Sequence, residues 1–165
     1  METLLASSAF TKSILPWMFL LGYLIHVTEE YLGGGALHAA QGANLKGVDF
    51  TASQFLIINC VAFLLFLLLI VLSQKFKFPE WVSVCLGTIF FINAVAHTIS
   101  TLVMAEYNPG LITGLLIFMP LGVFTLLRLS SRMRARRYLT AMAIGIAIHG
   151  VISLLALRGG HLFRL

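Results

Sequence analysis

The chain has 165 residues, of which 59% are hydrophobic and only 10% are charged, and its formal net charge is +5. Soluble domains carry about a quarter charged residues, so this composition excludes an ordinary soluble domain and indicates an integral membrane protein. Nucleic-acid binding is a poor explanation of the positive charge, because the basic residues cluster in loops between apolar segments. At roughly 20 residues per transmembrane helix, the whole chain, 1–165, is expected to form one membrane domain.

Five apolar segments follow one another along the chain and predict an all-α, polytopic membrane bundle of about five transmembrane helices. The first is expected to end at the glycine run 33–35, since glycine disfavours helix. Residues 36–50 then predict a loop or a short interfacial helix. The second begins with Thr51 and Gln54 at the spacing of a capping box. The predicted spans are 14–32, 51–73, 79–105, 109–128 and 138–157.

Prolines mark the third and fourth spans. Pro79 opens the third span, where its missing N–H costs nothing. Asn108 is the predicted N-cap of the fourth span, with Pro109 at the first helical position. Pro120 lies in the middle of that span, where it is expected to kink the helix and free a carbonyl near membrane depth.

Lysine and arginine are distributed unevenly between the two sides of this predicted bundle. One side carries eight of them: Lys12, Lys75, Lys77, Arg128, Arg132, Arg134, Arg136 and Arg137. The other side carries three: Lys46, Arg158 and Arg164. The positive-inside rule therefore predicts a cytoplasmic N-terminus and an external C-terminus.

Polar side chains inside the spans lie at a common predicted depth. A rise of about 1.5 Å per residue puts them roughly 17–26 Å from the cytoplasmic ends of their spans. They are His26, Glu29, Glu30, Asn59, Asn93, His97 and His149. On a helix, Glu29 and Glu30 lie on the same side as His26, three and four residues before them. Burying two glutamates and three histidines separately would cost on the order of 10 kcal/mol, so we expect these groups to meet in one buried polar site.

Three short motifs occur in order along the chain: His26-Val27-Thr28-Glu29-Glu30, Asn93-Ala94-Val95-Ala96-His97 and His149-Gly150. With these motifs, with the turn Tyr107-Asn108-Pro109-Gly110 and with Pro120, the chain resembles the HXXEE family of small bacterial integral membrane proteins. The resemblance covers nearly the whole chain. It implies a multi-pass protein of the bacterial cytoplasmic membrane and the same polar site, and it implies no particular reaction.

The leading hypothesis for this site is a divalent metal, zinc or iron, because histidines with a carboxylate form a ligand set that both metals use. The predicted ligands are His26, Glu30, His97 and His149. Glu29 and Glu30 are the predicted catalytic groups, and they point about 100° apart on a helix. One would bind the ion, and the other would act as a general base, support a ligand or bind a second ion. Asn59 and Asn93 would bind substrate or orient the ligands.

Such a site predicts a membrane-embedded enzyme acting on a membrane lipid or a lipid-like substrate, by hydrolysis with zinc or by oxidation with iron. Three alternatives stay open. A glutamate beside a histidine could form a metal-free acid–base site of an isomerase. The same residues could carry protons or cations across the bundle, or form a hydrogen-bond network that only joins helices. His38 is expected to be a surface histidine, and it would be a further ligand only if the segment 36–50 folded back over the site.

Overall fold

The computed structural model describes residues 14–34 and 51–162, with side chains up to residue 155. Within these ranges the chain forms five helices joined by turns, which confirms the predicted all-α fold. We number the helices in chain order: α1 Leu15–Leu32, α2 Ala52–Lys75, α3 Pro79–Met104, α4 Leu111–Ser130 and α5 Ala135–Leu162. Lys12 and residues 36–50, including the predictions for His38 and Lys46, lie outside the described residues.

Four of the helices are long and apolar enough to cross a membrane: α2, α3, α4 and the part of α5 that ends at Leu155. Their outward faces carry large exposed apolar side chains such as Leu64, Leu102 and Leu127, as expected for surfaces that face lipid. The chain is therefore a helical membrane protein. Helix α1 does not reach the same apolar level, because His26, Glu29 and Glu30 crowd into the second half of its 18 residues.

The helix boundaries follow the local signals in most places. At the start of α2, the Thr51 hydroxyl accepts a hydrogen bond from the Gln54 backbone N–H, and the Gln54 side chain accepts one from the Thr51 N–H, so the capping box is confirmed. Pro79 stands in the first turn of α3, also as predicted. Helix α1 ends at Leu32, and Gly33, the first residue of the glycine run, is its C-cap.

The predicted start of the fourth helix is wrong. Gly110, with a φ of 96°, occupies the N-cap position of α4, and the helix begins at Leu111 rather than at Pro109. The Asn108 side chain does not cap the helix, because its amide is engaged with His97 and Ser100 on α3. The cap comes instead from another helix, as described below.

Helix α4 is irregular before its proline. Residues Gly114–Phe118 form a π-helical turn, in which the N–H of Met119 donates to the carbonyl of Gly114. Pro120 lacks an N–H, so the regular hydrogen-bond ladder is interrupted at this point in any case. The disturbance expected at Pro120 therefore takes the form of a π turn, a common cause of bends in helices.

Helix α3 lies at the centre of the bundle and contacts all four other helices. Every residue of α3 from Val82 to Phe90 is buried, so this part of the helix has no exposed face. The Phe90 ring stacks on Phe118 of α4 with centroids 3.6 Å apart and meets the edge of Phe19 of α1 at 4.9 Å. This aromatic cluster joins three helices directly beneath His26, whose ring stacks on Phe118 at 4.1 Å.

Helices α3 and α5 approach closely at Gly145. A Cβ atom at this position would lie 2.7 Å from the carbonyl oxygen of Cys85 and 2.9 Å from the Cβ of Thr88. One turn earlier on α5, the Ala141 carbonyl accepts a hydrogen bond from the Cys85 thiol at 3.2 Å. Small residues of this kind let two helix backbones approach inside a membrane.

We expect Gly145→Ala to destabilise the protein although alanine is the better helix former. The added methyl group would meet a backbone carbonyl, and overpacking of this kind costs about 1–3 kcal/mol. Gly150→Ala is the matched control, since it lies on the same helix with open space around its Cβ position. Thermal unfolding followed by circular dichroism in one detergent compares the two. A Gly145→Ala protein as stable as Gly150→Ala would contradict the close crossing.

Candidate functional site

Three of the predicted site residues come together where α1 and α3 end. Nε2 of His97 lies 3.2 Å from Oε1 of Glu30, and Nε2 of His26 lies 3.6 Å from the same oxygen. One ligand atom from each residue falls within 4.8 Å of the other two. We call these residues the His26–Glu30–His97 group. Its members come from two helices: one turn of α1 supplies the first pair, and α3 supplies His97.

Both histidine rings are held from behind, one by the segment that joins α3 to α4 and the other by the first turn of α4. Nδ1 of His97 lies 2.8 Å from the amide oxygen of Asn108, whose NH₂ group donates to the Ser100 hydroxyl at 2.7 Å. Nδ1 of His26 lies 2.7 Å from the hydroxyl of Thr113. An amide oxygen only accepts hydrogen bonds, so Nδ1 of His97 must carry the proton. Neutral His97 therefore directs the unprotonated Nε2 towards Glu30.

Gly110 lets this segment pass against both rings. A Cβ atom there would lie 2.7 Å from Cε1 of His97 and 2.8 Å from Cε1 of His26. The residue also has a φ of 96°, in the left-handed region that favours glycine. Two constraints thus favour glycine at this point: the backbone conformation, and the close approach to the two histidine rings.

Glu29 faces the start of α4 and not the His26–Glu30–His97 group. Its Oε1 accepts hydrogen bonds from the backbone N–H groups of Gly110 and Ile112, each at 3.0 Å, and its Oε2 accepts one from Thr113 N–H at 2.7 Å. The Tyr107 hydroxyl donates to Oε1 as well. A carboxylate in this position satisfies otherwise unpaired N–H groups and lies at the positive end of the helix dipole. Glu29 thus caps α4 from α1.

The carboxylate of Glu29 thus lies at α4 and outside the His26–Glu30–His97 group, and its catalytic role stays a prediction. The roughly 100° between neighbouring helix positions sends its side chain to α4, while Glu30 turns towards the two histidines. Partial burial and the adjacent Glu29 carboxylate raise the pKa of Tyr107 to about 12, so the phenol remains a hydrogen-bond donor at neutral pH. The two glutamates therefore have separate tasks, one in positioning α4 and one at the site.

A cavity of about 150 Å³ adjoins the group and contains the remaining predicted polar residues. Its polar wall is formed by Tyr23, His26, Glu30, Asn59, Asn93, His149 and Ser153. The Tyr23 hydroxyl donates to the Asn59 amide oxygen at 2.6 Å, and the Asn59 NH₂ donates to the Phe55 carbonyl at 3.0 Å. Asn59 is thereby fixed in the wall of the cavity.

Two polar atoms at this cavity are buried without a hydrogen-bond partner among the described residues: Nε2 of His26 and Oδ1 of Asn93. His149 is not a member of the His26–Glu30–His97 group, although it lines the same cavity. Its Nδ1 lies 3.4 Å from the Ser153 hydroxyl on the next turn of α5. The cavity therefore offers a buried acceptor, a hydroxyl and an imidazole beside the three converging ligands.

Thr113 and the tasks of Tyr107, Asn108 and Gly110 escaped prediction from the sequence. Threonine is an ordinary residue in the first turn of a helix, and asparagine before a Pro-Gly pair is explained as a helix cap. Only the turn Tyr107–Gly110 as a whole stood out, and nothing in its spacing connects it to His26 or Glu29. These contacts span about 80 residues, for example Glu29 to Gly110.

We expect Glu29→Gln to destabilise the protein by about 2 kcal/mol, a typical contribution of hydrogen bonds to a charged group. The glutamine NH₂ would face a backbone N–H, either Thr113 or the pair at Gly110 and Ile112, so one donor would meet another. Glu106→Gln, at an exposed glutamate near the same end of the bundle, is the control. Thermal unfolding in detergent measures both, and equal melting temperatures would contradict the capping role.

Searches of curated proteins and of solved structures return no match to this chain. One protein family does match, over residues 17–125, and it is described as "Protein of unknown function with HXXEE motif". The matched region includes all of the His26–Glu30–His97 group, Glu29 and the segment that joins α3 to α4, whereas His149 lies beyond it. Because the match covers more than half of the chain, the protein belongs to the HXXEE family.

Proposed function

We propose that the protein is a membrane-embedded, metal-dependent enzyme that binds one divalent cation at His26, Glu30 and His97. The observation that carries the proposal is Nε2 of His26. This atom belongs to a side chain that is only 2% exposed, and it has no hydrogen-bond partner among the residues that the structure describes. It lies 3.6 Å from Oε1 of Glu30, where the other two ligand atoms converge. A buried polar atom without a partner costs about 1–3 kcal/mol, and a cation on its lone pair would remove that cost.

The donor set supports zinc or iron. Two imidazoles and one carboxylate bind zinc in hydrolases, and the same set binds iron(II) in non-haem oxygenases. A water-exposed carboxylate cluster would suit magnesium or calcium better, but here two of the three donors are nitrogen atoms. The tautomer of His97 also agrees, since Asn108 accepts the Nδ1 proton and leaves Nε2 free to bind a metal.

The surrounding residues support a reaction in the adjoining cavity. With positions left open by three protein ligands, bound zinc would activate water towards an ester or amide, and bound iron would support oxidation. The Asn93 amide oxygen would accept a hydrogen bond from the substrate. His149, with Nδ1 near the Ser153 hydroxyl, could give or take a proton on the opposite wall. Phe118 and Phe90 close the inner side of the site against water.

We also propose an orientation in the membrane. The His26–Glu30–His97 group lies near the end where α3 ends and α4 begins, and the arginine-rich turn between α4 and α5 lies at the other end of α4. The positive-inside rule would put that turn in the cytoplasm. The group would then lie towards the external face of the bacterial membrane, with the N-terminus inside.

A metal-free acid–base site is the second candidate, and one distance favours it. Nε2 of His97 and Oε1 of Glu30 are 3.2 Å apart, which suits an imidazolium paired with a carboxylate as well as two ligands of one ion. Such a pair could move a proton on a lipid substrate without a metal. Metal content separates the two candidates directly.

We expect the protein, purified without chelators, to bind about one equivalent of zinc or iron(II) per chain, as in mononuclear sites of this donor set. His26→Ala, Glu30→Gln and His97→Ala should each weaken binding by about 100-fold or more, since each removes one of three ligands. Elemental analysis and competition with a fluorescent chelator measure stoichiometry and affinity. Circular dichroism verifies that each variant keeps its helices.

His149→Ala is the matched control for these variants. His149 lines the cavity but is not in the His26–Glu30–His97 group, so its removal should change metal affinity less than threefold, or about 0.6 kcal/mol. Absence of metal binding in the folded wild-type protein would overturn the proposal and favour the acid–base site. Equal loss of affinity in all four histidine and glutamate variants would instead restore His149 as a ligand.

A further inference from the structure

A second, larger hollow runs along the bundle between α2, α3 and α5. It has a volume of about 550 Å³, and its walls are almost wholly apolar. Helix α2 contributes Ile57, Val61, Leu65 and Leu69, which lie on one face at helical spacing. Ile148 and Val151 of α5 line the other side. We call this hollow the α2–α5 groove.

The α2–α5 groove adjoins the polar cavity of the site. Four residues form walls of both: Ile58 and Phe66 of α2, Ile89 of α3 and Ile152 of α5. Every polar side chain of the cavity lies on the cavity side of these shared residues. In the groove, the sulfur of Cys85 is the most polar side-chain atom among the described lining residues. A ligand that filled both spaces would therefore need one polar end and one long apolar end.

The length and direction of the groove match one leaflet of a bilayer. From Ile57 to Leu69 it extends about 18 Å along α2, at 1.5 Å per residue. Half of a typical hydrocarbon core is about 15 Å. The groove begins beside Asn59 and the site, close to one end of the bundle, and runs towards the level of Cys85, near the other end of α3. A lipid in the leaflet nearest the site has its polar headgroup at the level of the site and its apolar chain directed along the groove.

The groove is also open to the surroundings of the bundle. Ile57, Val61, Leu65 and Val151 are all more than half exposed, so their side chains are accessible from outside. In a bilayer these side chains are in contact with hydrocarbon whether or not the groove is closed, so no hydrophobic force brings α2 and α5 together. A hydrocarbon chain can therefore enter sideways from the leaflet without crossing water.

We propose that the α2–α5 groove binds one alkyl chain of a membrane lipid, whose polar end reaches the cavity at the His26–Glu30–His97 group. The substrate class is then a long-chain amphiphile with a hydrolysable or oxidisable group next to its chain. This assignment of the substrate rests on the proposed function, but binding of the chain does not. Asn93 and His149 are the polar residues that face the end of the chain.

Photo-crosslinking of the wild-type protein tests chain binding without any substitution. The probe is a sixteen-carbon fatty acid with a diazirine in mid-chain, added to the protein in phosphatidylcholine nanodiscs, and labelled residues are mapped by mass spectrometry. We expect labelling to concentrate on groove residues such as Leu65 and Ile148. Leu56 and Val71, which are exposed on α2 but do not line the groove, report general contact with lipid. Equal labelling of both faces would overturn the proposal.

Ala147→Trp should block the groove. Ala147 is exposed and lines it, whereas Ala143, one turn earlier on α5, is exposed and does not line it. We expect Ala147→Trp to reduce groove labelling at least tenfold, which corresponds to about 1.4 kcal/mol, and Ala143→Trp to leave it unchanged. Both variants should retain the metal affinity of the wild-type protein, because neither residue touches the His26–Glu30–His97 group.

These experiments test metal binding and binding of the alkyl chain separately. Groove labelling without metal binding would keep the groove and remove the metal-dependent function. Metal binding with labelling spread evenly over lipid-facing residues would keep the metal site and remove the groove. A photoreactive amino acid placed at Ala147 that crosslinks to residues 35–50 or to a second copy of the chain would show that protein covers the groove and would also overturn the proposal.

Discussion

The carboxylate of Glu29 at the start of α4 is the interaction on which the candidate site depends. It pairs three backbone N–H groups of a helix start that has glycine at its N-cap and therefore no side chain of its own for the task. In a low-dielectric setting these N–H groups would be costly to leave unpaired. The same contact brings Gly110 against both histidine rings and Thr113 against His26. The residues that cap α4 and the residues that support the histidines are thus held by the same contact between α1 and α4.

The two adjacent glutamates on α1 lie in different electrostatic surroundings. Glu29 is neutralised by aligned peptide dipoles and hydrogen bonds, so it needs no counter-ion. Glu30 has only imidazoles as neighbours within the His26–Glu30–His97 group, and a negative charge there favours either a cation or a protonated histidine. The backs of the rings are already satisfied by Thr113 and Asn108. What is left unsatisfied points inward to one place, which is why a metal site is the best-supported proposal.

The bundle also separates polar and apolar surfaces along its length. Polar groups gather in a small cavity near one end, and the adjoining α2–α5 groove is lined by side chains that are almost all apolar. The central helix α3 serves both: Asn93 and His97 at one level, and Cys85, Leu86 and Ile89 at another. A membrane lipid also has a polar end followed by a long apolar chain. The order of polar and apolar surfaces along the bundle therefore matches that of a lipid in the surrounding bilayer.

The sequence by itself determined the features that depend on neighbours along the chain. Composition gave the membrane class, apolar runs gave the helices, and the capping box placed the start of α2. Spacing of four residues put His26 and Glu30 on one side of α1. Tertiary structure decided which residue meets this pair across the bundle and which of Glu29 and Glu30 faces the histidines. It also placed Asn108 and Thr113 behind the rings and kept His149 out of the group. Each of these depends on how the packed helices are rotated and shifted relative to one another. The π turn in α4 changes the rotation of that helix, and no sequence pattern predicts it.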